Sequence, residues 1–274
     1  MKALASQSSI SSAATSGGIA LGLGLTNECN LSCSFCYRDP ARTDRLTLDQ
    51  VKSVLERLPV RSVNLGTGEN GMHPEFRAIL AYLRTQPVKL TITSNGHSIA
   101  VLEDSELRAF HDIEFSLDYP TQVEQDMQRG LGNWTLIQQQ AARSVKLGVP
   151  VTIIAVMMKS NYLRLAEIAR VARQFDAPLR VNVYQAVRSD VYAQLLRARM
   201  IGEAYGVAEI DESAAAYEAE QAASFQLPSG GFLFGRKNGV PMSFVNPVST
   251  AFCAQALAWW EGRLTKFSPK GGVI

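Results

Sequence analysis

Cysteine and histidine are scarce in this chain, four and three among 274 residues, and no apolar run approaches the roughly 18 residues of a membrane span. Net charge is almost absent too, at +2 near neutral pH, so no global basic field marks a nucleic-acid binder. The opening stretch, MKALASQSSISSAATSGG, carries a single lysine and lacks the continuous apolar segment of a secretory signal. These absences predict a cytoplasmic protein with neither a membrane nor a nucleic-acid partner, and a flexible tail over residues 1–17. Four cysteines could form two disulfides, yet three of them fall within residues 29–36. Loops that short make poor disulfide frameworks, and in a chain without a signal such a cluster reads as a metal site.

What is present is material for a core. Hydrophobic residues make up 46% of the chain and charged residues 19%, a balance that excludes disorder and suits one large α/β domain with an appendage. Strand-like runs occur at residues 19–26, 61–65, 89–93, 112–117, 149–157 and 179–184. Several are rich in Val, Ile and Thr without strict alternation, as expected of parallel strands covered on both sides.

Helical patterns fill the gaps. Thr47 and Gln50 have the spacing of a capping box, with Leu48, Val51, Leu55 and Leu58 on one face behind it. Asn133 is placed to cap a helix presenting Trp134, Ile137, Ala141 and Val145, closed by Gly148. A third helix is expected over residues 162–175. Six β-α units imply right-handed crossovers and a partial (β/α)6 TIM barrel of parallel strands, with its site at the C-terminal strand ends. The pattern breaks near residue 205. Residues 209–226 are acidic, Ala-rich and helical in character. Residues 232–234 and 240–244 flank Lys237-Asn238-Gly239, a hairpin-turn signal, and a Trp-containing helix follows over 251–263. The expected organisation is therefore a tail over 1–17, a barrel core over 18–205 and a small hairpin and helix extension over 206–274.

Cys29, Cys33 and Cys36 carry the spacing C-x3-C-x2-C directly after the first strand. A cubane iron–sulfur cluster takes one thiolate per iron, so three thiolates leave one iron open to a ligand. A zinc site with three cysteines and a histidine is the plainer alternative, but His73, His97 and His111 all lie well away in sequence. Phe35, between the last two cysteines, is placed to shield a cluster from water.

This motif resembles that of the radical S-adenosylmethionine (SAM) superfamily, and the resemblance runs through the whole β-α region. It implies one [4Fe-4S] cluster on the three cysteines and SAM on the open iron. Thr67-Gly68-Glu69, after the second strand, resembles the Gly-Gly-Glu motif that holds the SAM amino group, with Thr67 in place of the first glycine and Asn70 in place of the usual proline. Ser94-Asn95-Gly96 resembles the third-strand turn whose backbone lies near SAM. Ser116-Leu117-Asp118 is similar to the fourth-strand motif in which Ser116 and Asp118 approach the methionine or ribose of SAM. Arg129 resembles the arginine that grips the SAM carboxylate, and residues 182–188 resemble a stretch flanking the adenine.

The implied chemistry begins with one electron from a flavodoxin or ferredoxin. SAM is cleaved to methionine and a 5′-deoxyadenosyl radical, which abstracts a hydrogen atom from substrate. The extension resembles the SPASM or twitch region of peptide-modifying relatives, which usually holds auxiliary clusters, yet only Cys253 remains there. One cluster per chain is therefore expected. A precursor peptide is the substrate this resemblance implies, for splicing by C–C cleavage, cross-linking or epimerisation, with a separate leader-peptide recognition protein. Cys253 is the spare thiol an epimerase would use as hydrogen donor; its plainer reading is a buried apolar cysteine. A small metabolite is the alternative substrate, and a non-enzymatic zinc module a distant third.

Overall fold

In the computed structural model the described residues are 18–36, 38, 43–183, 187–237, 240–242 and 245–263. The expected tail over 1–17 lies outside them, as do Tyr184 at the end of the sixth expected strand and Asn238-Gly239 of the hairpin turn.

β1 (Ile19–Leu23) is followed by α1 (Leu48–Arg57), β2 (Val60–Leu65) and α2 (Phe76–Leu83). β3 (Lys89–Ser94), α3 (His97–Ala100), α4 (Asp104–Leu107), β4 (Asp112–Ser116), α5 (Gln122–Arg129) and α6 (Asn133–Lys146) come next. β5 (Val151–Met157), α7 (Leu165–Arg173) and β6 (Leu179–Val183) complete the repeat. The six strands pair in sequence order and in parallel, forming a curled partial barrel. Its core lies between sheet and helices: Val63, Leu65, Leu90, Ile92, Ile113, Phe115 and Ile153 meet Val51, Ile79, Ile137 and Ile168.

The strands alternate more strictly than the sequence suggested, because helices cover only one face of the sheet. On β4, Ile113 and Phe115 join the core under the helices, while Glu114 reaches Thr93 and Asn64 on the opposite, concave face. The run of Val and Ile in β5 hid this, since Ile154 is buried outside that core.

The capping box of α1 is present, with Gln50 N–H donating to Thr47 Oγ1 at 3.2 Å and Thr47 N–H to Gln50 Oε1 at 2.8 Å. Asn133 does not cap α6. Gly132, at φ +83°, occupies that position, and the Asn133 side chain turns inward, with a consequence for the site below. The third expected helix starts with a 3-10 turn at Tyr162–Arg164 and becomes α-helical only at Leu165.

Beyond β6 come β7 (Val187–Arg188), α8 (Ser189–Ala204), α9 (Glu212–Ala223), β8 (Gly235–Lys237), β9 (Val240–Pro241) and α10 (Pro247–Gly262). β7, β8 and β9 form a second, antiparallel sheet. The hairpin is shorter than expected: Phe232 and Leu233 make isolated bridges to Gln226 and Val245, and β8 begins only at Gly235. A second apolar cluster joins Ala193, Leu196 and Met200 of α8 to Ala215, Phe225, Phe232 and Cys253. The extension expected over 206–274 thus shares its core with a helix that precedes it.

Candidate cofactor site at the strand ends

The cysteine loop is held by its own polar residues. Thr26 Oγ1 accepts from Glu28 N–H at 3.1 Å and donates to Glu28 Oε2 at 3.1 Å. Arg45, on the segment returning to α1, clamps both oxygens of Glu28 at 2.6 and 2.8 Å, a bidentate geometry suited to fixing a loop. That guanidinium, through its hydrogen bond, holds the Glu28 carboxyl below its ordinary value. Arg38 donates to Asn27 O at 3.2 Å and to Leu31 O at 2.5 Å, closing the stretch that carries Cys29 and Cys33.

Burial pushes the thiols of Cys29 and Cys33 up from the ordinary cysteine value; near Cys33 the Arg129 charge opposes that rise. Two N–H donors nevertheless face Cys29 Sγ, Leu31 N–H at 3.4 Å and Asn95 Nδ2 at 3.5 Å. Donors directed at a half-buried sulfur suit a thiolate held by a metal, so the loop fits an iron–sulfur cluster. Among the described residues no His, Cys, Asp or Glu trio is gathered closely enough to hold one metal ion. A cubane differs from zinc in spreading its thiolates over separate irons.

The loop after β2 lies directly against the cysteine loop. Gly68 sits at φ +60°, and a Cβ there would stand 2.5 Å from both Thr26 O and Glu28 O. Only glycine allows that approach with that backbone. Thr67 also takes a positive φ, +71°, an unusual state for a β-branched residue, where the resembled motif has glycine. Glu69 N–H then donates to Glu28 O at 2.7 Å.

The Glu69 side chain is 1% exposed and already saturated. Oε1 accepts from Ser94 Oγ at 2.6 Å, from Ser98 N–H at 2.7 Å and from Ser98 Oγ, while Oε2 accepts from Asn95 N–H at 2.9 Å. Its carboxylate binds the β3 turn to the β2 loop. Asn95 continues the connection: Nδ2 donates to Asn30 Oδ1 at 2.9 Å, and its carbonyl accepts from Asn133 Nδ2 at 2.9 Å.

Asp118 and Arg129 are brought together at the β4 end, Nε to Oδ2 at 2.6 Å, with side chains 0% and 9% exposed. Burial opposes the Arg129 charge, but Asp118 outweighs it and raises the guanidinium above its ordinary value. The same guanidinium lies 5.2 Å from the Phe35 ring centre, a cation–π contact linking α5 to the cysteine loop. Asp118 Oδ1 accepts from Val156 N–H at 2.8 Å. Ser116 is half-buried, and its carbonyl accepts from Gln125 Nε2 at 3.2 Å.

Gln125 and Asn161 organise this corner and carry no signal in a single sequence. Gln125, fully buried, accepts from the N–H groups of Asp118 and Tyr119 at 3.0 and 3.2 Å and donates to Asn133 Oδ1 at 2.8 Å. Asn161 donates to Asp118 O and Val156 O, both at 2.9 Å. Of the stretch expected to flank adenine, Asn182 is exposed on β6, while residues 184–186 lie outside the described residues.

Cys253 stands apart from these loops. It is fully buried in the second apolar cluster, and burial pushes its thiol up to about 11. This is the environment of a packed core cysteine, and a hydrogen donor here would first have to be uncovered.

The chain is 30% identical over 172 residues to mycofactocin maturase MftC of Mycobacterium tuberculosis, covering 60% of this chain and 44% of that protein. It is 27% identical over 184 residues to a probable GTP 3′,8-cyclase of Pyrococcus horikoshii, covering 65% and 59%. The chain thus spans about half the length of these relatives. A similar fold occurs in Streptococcus suis SuiB, solved with its precursor peptide SuiA, at a TM-score of 0.54 and 17% identity, covering 67% of this chain and 45% of that one. The radical SAM superfamily profile matches residues 23–173, from the cysteine loop through the Asp118–Arg129 corner, and with more than half of the chain inside that match the protein belongs to the radical SAM superfamily.

Proposed function

We propose that this chain binds a [4Fe-4S] cluster and SAM at the strand ends and modifies a ribosomally made precursor peptide. When bound, the cluster and SAM supply a reductively generated 5′-deoxyadenosyl radical that removes a hydrogen atom from substrate. Cys29, Cys33 and Cys36 hold the cluster. The backbone of Thr67-Gly68-Glu69 borders the SAM amino end, and Glu69 fixes that loop to Ser94 and Asn95. Arg129, kept charged by Asp118, is the partner for the SAM carboxylate. Ser116 lines the methionine and ribose side, and Asp118, fully buried with both oxygens engaged, serves that side through Arg129.

One observation carries this reading: Gly68 and Glu69 close against Thr26 and Glu28, so the cysteine loop and the SAM-side loop form a single unit. The identity with mycofactocin maturases favours a peptide substrate. Similarity to a probable GTP 3′,8-cyclase favours the second reading, a small nucleotide-like metabolite. Among the described residues no helix is long and apolar enough to cross a membrane, and a reducing cytoplasm suits the cluster. A flavodoxin or ferredoxin is the proposed reductant. A separate leader-peptide recognition protein is the proposed companion. Cross-linking and splicing ask nothing of Cys253, whereas epimerisation through it requires the second core to open.

The test is isotopic. Reconstituted protein is given SAM, reductant and a perdeuterated short peptide encoded beside its gene, and 5′-deoxyadenosine is analysed by mass spectrometry. Deuterium in that product supports peptide chemistry. Unlabelled product with an unaltered peptide overturns it in favour of the metabolite.

A further inference from the structure

The concave face of the barrel carries a polar assembly below the cofactor loops. Glu114, on β4, is 4% exposed, and its three donors come from three other strands. Oε2 accepts from Asn64 Nδ2 of β2 at 3.4 Å and from Thr93 Oγ1 of β3, while Oε1 meets Arg180 Nη1 of β6 at 2.5 Å. Asn64 is itself steadied by Thr91, its Nδ2 donating to Thr91 Oγ1 at 2.8 Å. The carboxylate is therefore saturated and orients the arginine.

The two partners differ in exposure, 5% for the Glu114 side chain against 52% for that of Arg180. A guanidinium offers five N–H donors, and among the described residues Glu114 is the only hydrogen-bond or ion-pair partner of the Arg180 guanidinium, whose charge also reaches Asp112. Half of the Arg180 side-chain surface is exposed among the described residues, which leaves donors beyond the one on Glu114 for a ligand. At the other edge of the sheet Gly22 of β1, paired with Asn64, adds no side chain to the concave face, and a Cβ there would meet nothing within 4 Å. Asn182, two residues nearer the cofactor loops on the same strand, is exposed as well.

We propose that Arg180, seated on Glu114, is the substrate-recognition residue of the concave face and takes a carboxylate of the substrate. This rests on the peptide reading above, because peptides bring carboxylates either on a side chain or at the C-terminus. A monoanion suits the site better than a phosphate. Asp112 shares the face with Glu114, so a dianion would meet two carboxylates. Burial raises the Asp112 carboxyl above its ordinary value, which softens one of them.

The probe is N-acetyl-alanyl-aspartyl-alanine, compared with its asparaginyl analogue and with the C-terminal amide of each, titrated by calorimetry into reconstituted protein with SAM. A carboxylate–guanidinium contact is worth about tenfold or more in affinity, so one acid form should bind about tenfold more tightly than its amide counterpart. Which pair shows the ratio tells side chain from terminus. Arg180→Gln should bring the ratio to about one, and Arg180→Lys should keep part of it. The double variant Glu114→Gln/Arg180→Gln removes the unpaired buried acid, so it reports on recognition even if the single variant folds poorly. It too should show no ratio. Equal binding of acids and amides by the wild type overturns the proposal, as does a ratio that survives in the double variant. SAM cleavage by the wild-type protein with dithionite and without peptide is measured alongside. If it occurs without discrimination, this inference alone fails; if it does not occur, the proposed SAM-cleaving function fails.

Discussion

The Asn95 carboxamide nitrogen lies 3.5 Å from Cys29 Sγ while the Asn95 backbone N–H donates to Glu69 Oε2 at 2.9 Å. One residue thus ties Cys29, the first of the proposed cluster ligands, to the buried acid of the loop after β2. An N–H donor stabilises a sulfur ligand more when the cluster is reduced. Asn95→Ala should therefore lower the cluster reduction potential. A bond worth about 1 kcal/mol corresponds to about 40 mV for one electron. An EPR-monitored redox titration checks this, and an unchanged or higher potential contradicts it.

Gln125 should behave as a structural keystone despite its place on a surface helix. Gln125→Leu leaves the N–H groups of Asp118 and Tyr119 buried without an acceptor, at a cost of about 2–3 kcal/mol. Gln122→Ala, on the exposed first turn of the same helix, should stay within about 0.5 kcal/mol. Urea denaturation of the two variants makes the comparison. Similar midpoints would show that Gln125 does not hold the corner.

Gly68→Ala should be far worse than Gly132→Ala. Both glycines have positive φ, so both variants bear the backbone cost of roughly 1 kcal/mol. Only at Gly68 does the new methyl meet two carbonyl oxygens at 2.5 Å; at Gly132 it meets nothing within 4 Å. A further loss of about 2 kcal/mol is expected at Gly68, with poorer iron uptake. Equal melting temperatures would contradict the close approach of the two loops.

The Asp112 carboxyl is raised above its ordinary value, first by burial and then by the Glu114 charge, against the hydrogen bond from Thr152. A raised acid favours folding when protonated, and that contribution is lost as pH climbs through the folded-state value. At neutral pH the ionised group therefore costs stability. Asp112→Asn keeps an acceptor for Thr152 Oγ1, 2.9 Å away, and should raise the melting temperature at pH 7, with the gain shrinking toward pH 4. A gain that grows on acidification would reverse the assignment.

The positions of the cysteine loop, Glu69 and Asp118 at strand ends were legible in the sequence because each follows a strand within its own motif. The ion pair of Asp118 with Arg129, at the end of α5, was not, because the sequence assigned the two residues separate roles. The order of six β-α units was legible for a related reason: apolar runs recur between helical stretches. The concave face was not, since β5 reads as an unbroken apolar segment and hides the alternation that β3 and β4 show. Gln125 and Asn161 act through backbone groups distant in sequence, and no local pattern reports such contacts. α8 was overlooked because α9 and α10 both pack against it. Its apolar residues therefore form no single stripe. Asn133 looked like a cap because its residue type suits one, yet Asn95 and Gln125 claim its side chain.

The central claim is that three thiolates hold a cluster with one iron open to SAM. It is tested most directly by reducing anaerobically reconstituted protein with dithionite in the presence of SAM and measuring 5′-deoxyadenosine. The wild type should carry about four irons and release the nucleoside, and Cys33→Ala should release none while Cys253→Ala still does. Intact SAM with the iron-loaded wild type, or release that persists in Cys33→Ala, would contradict it.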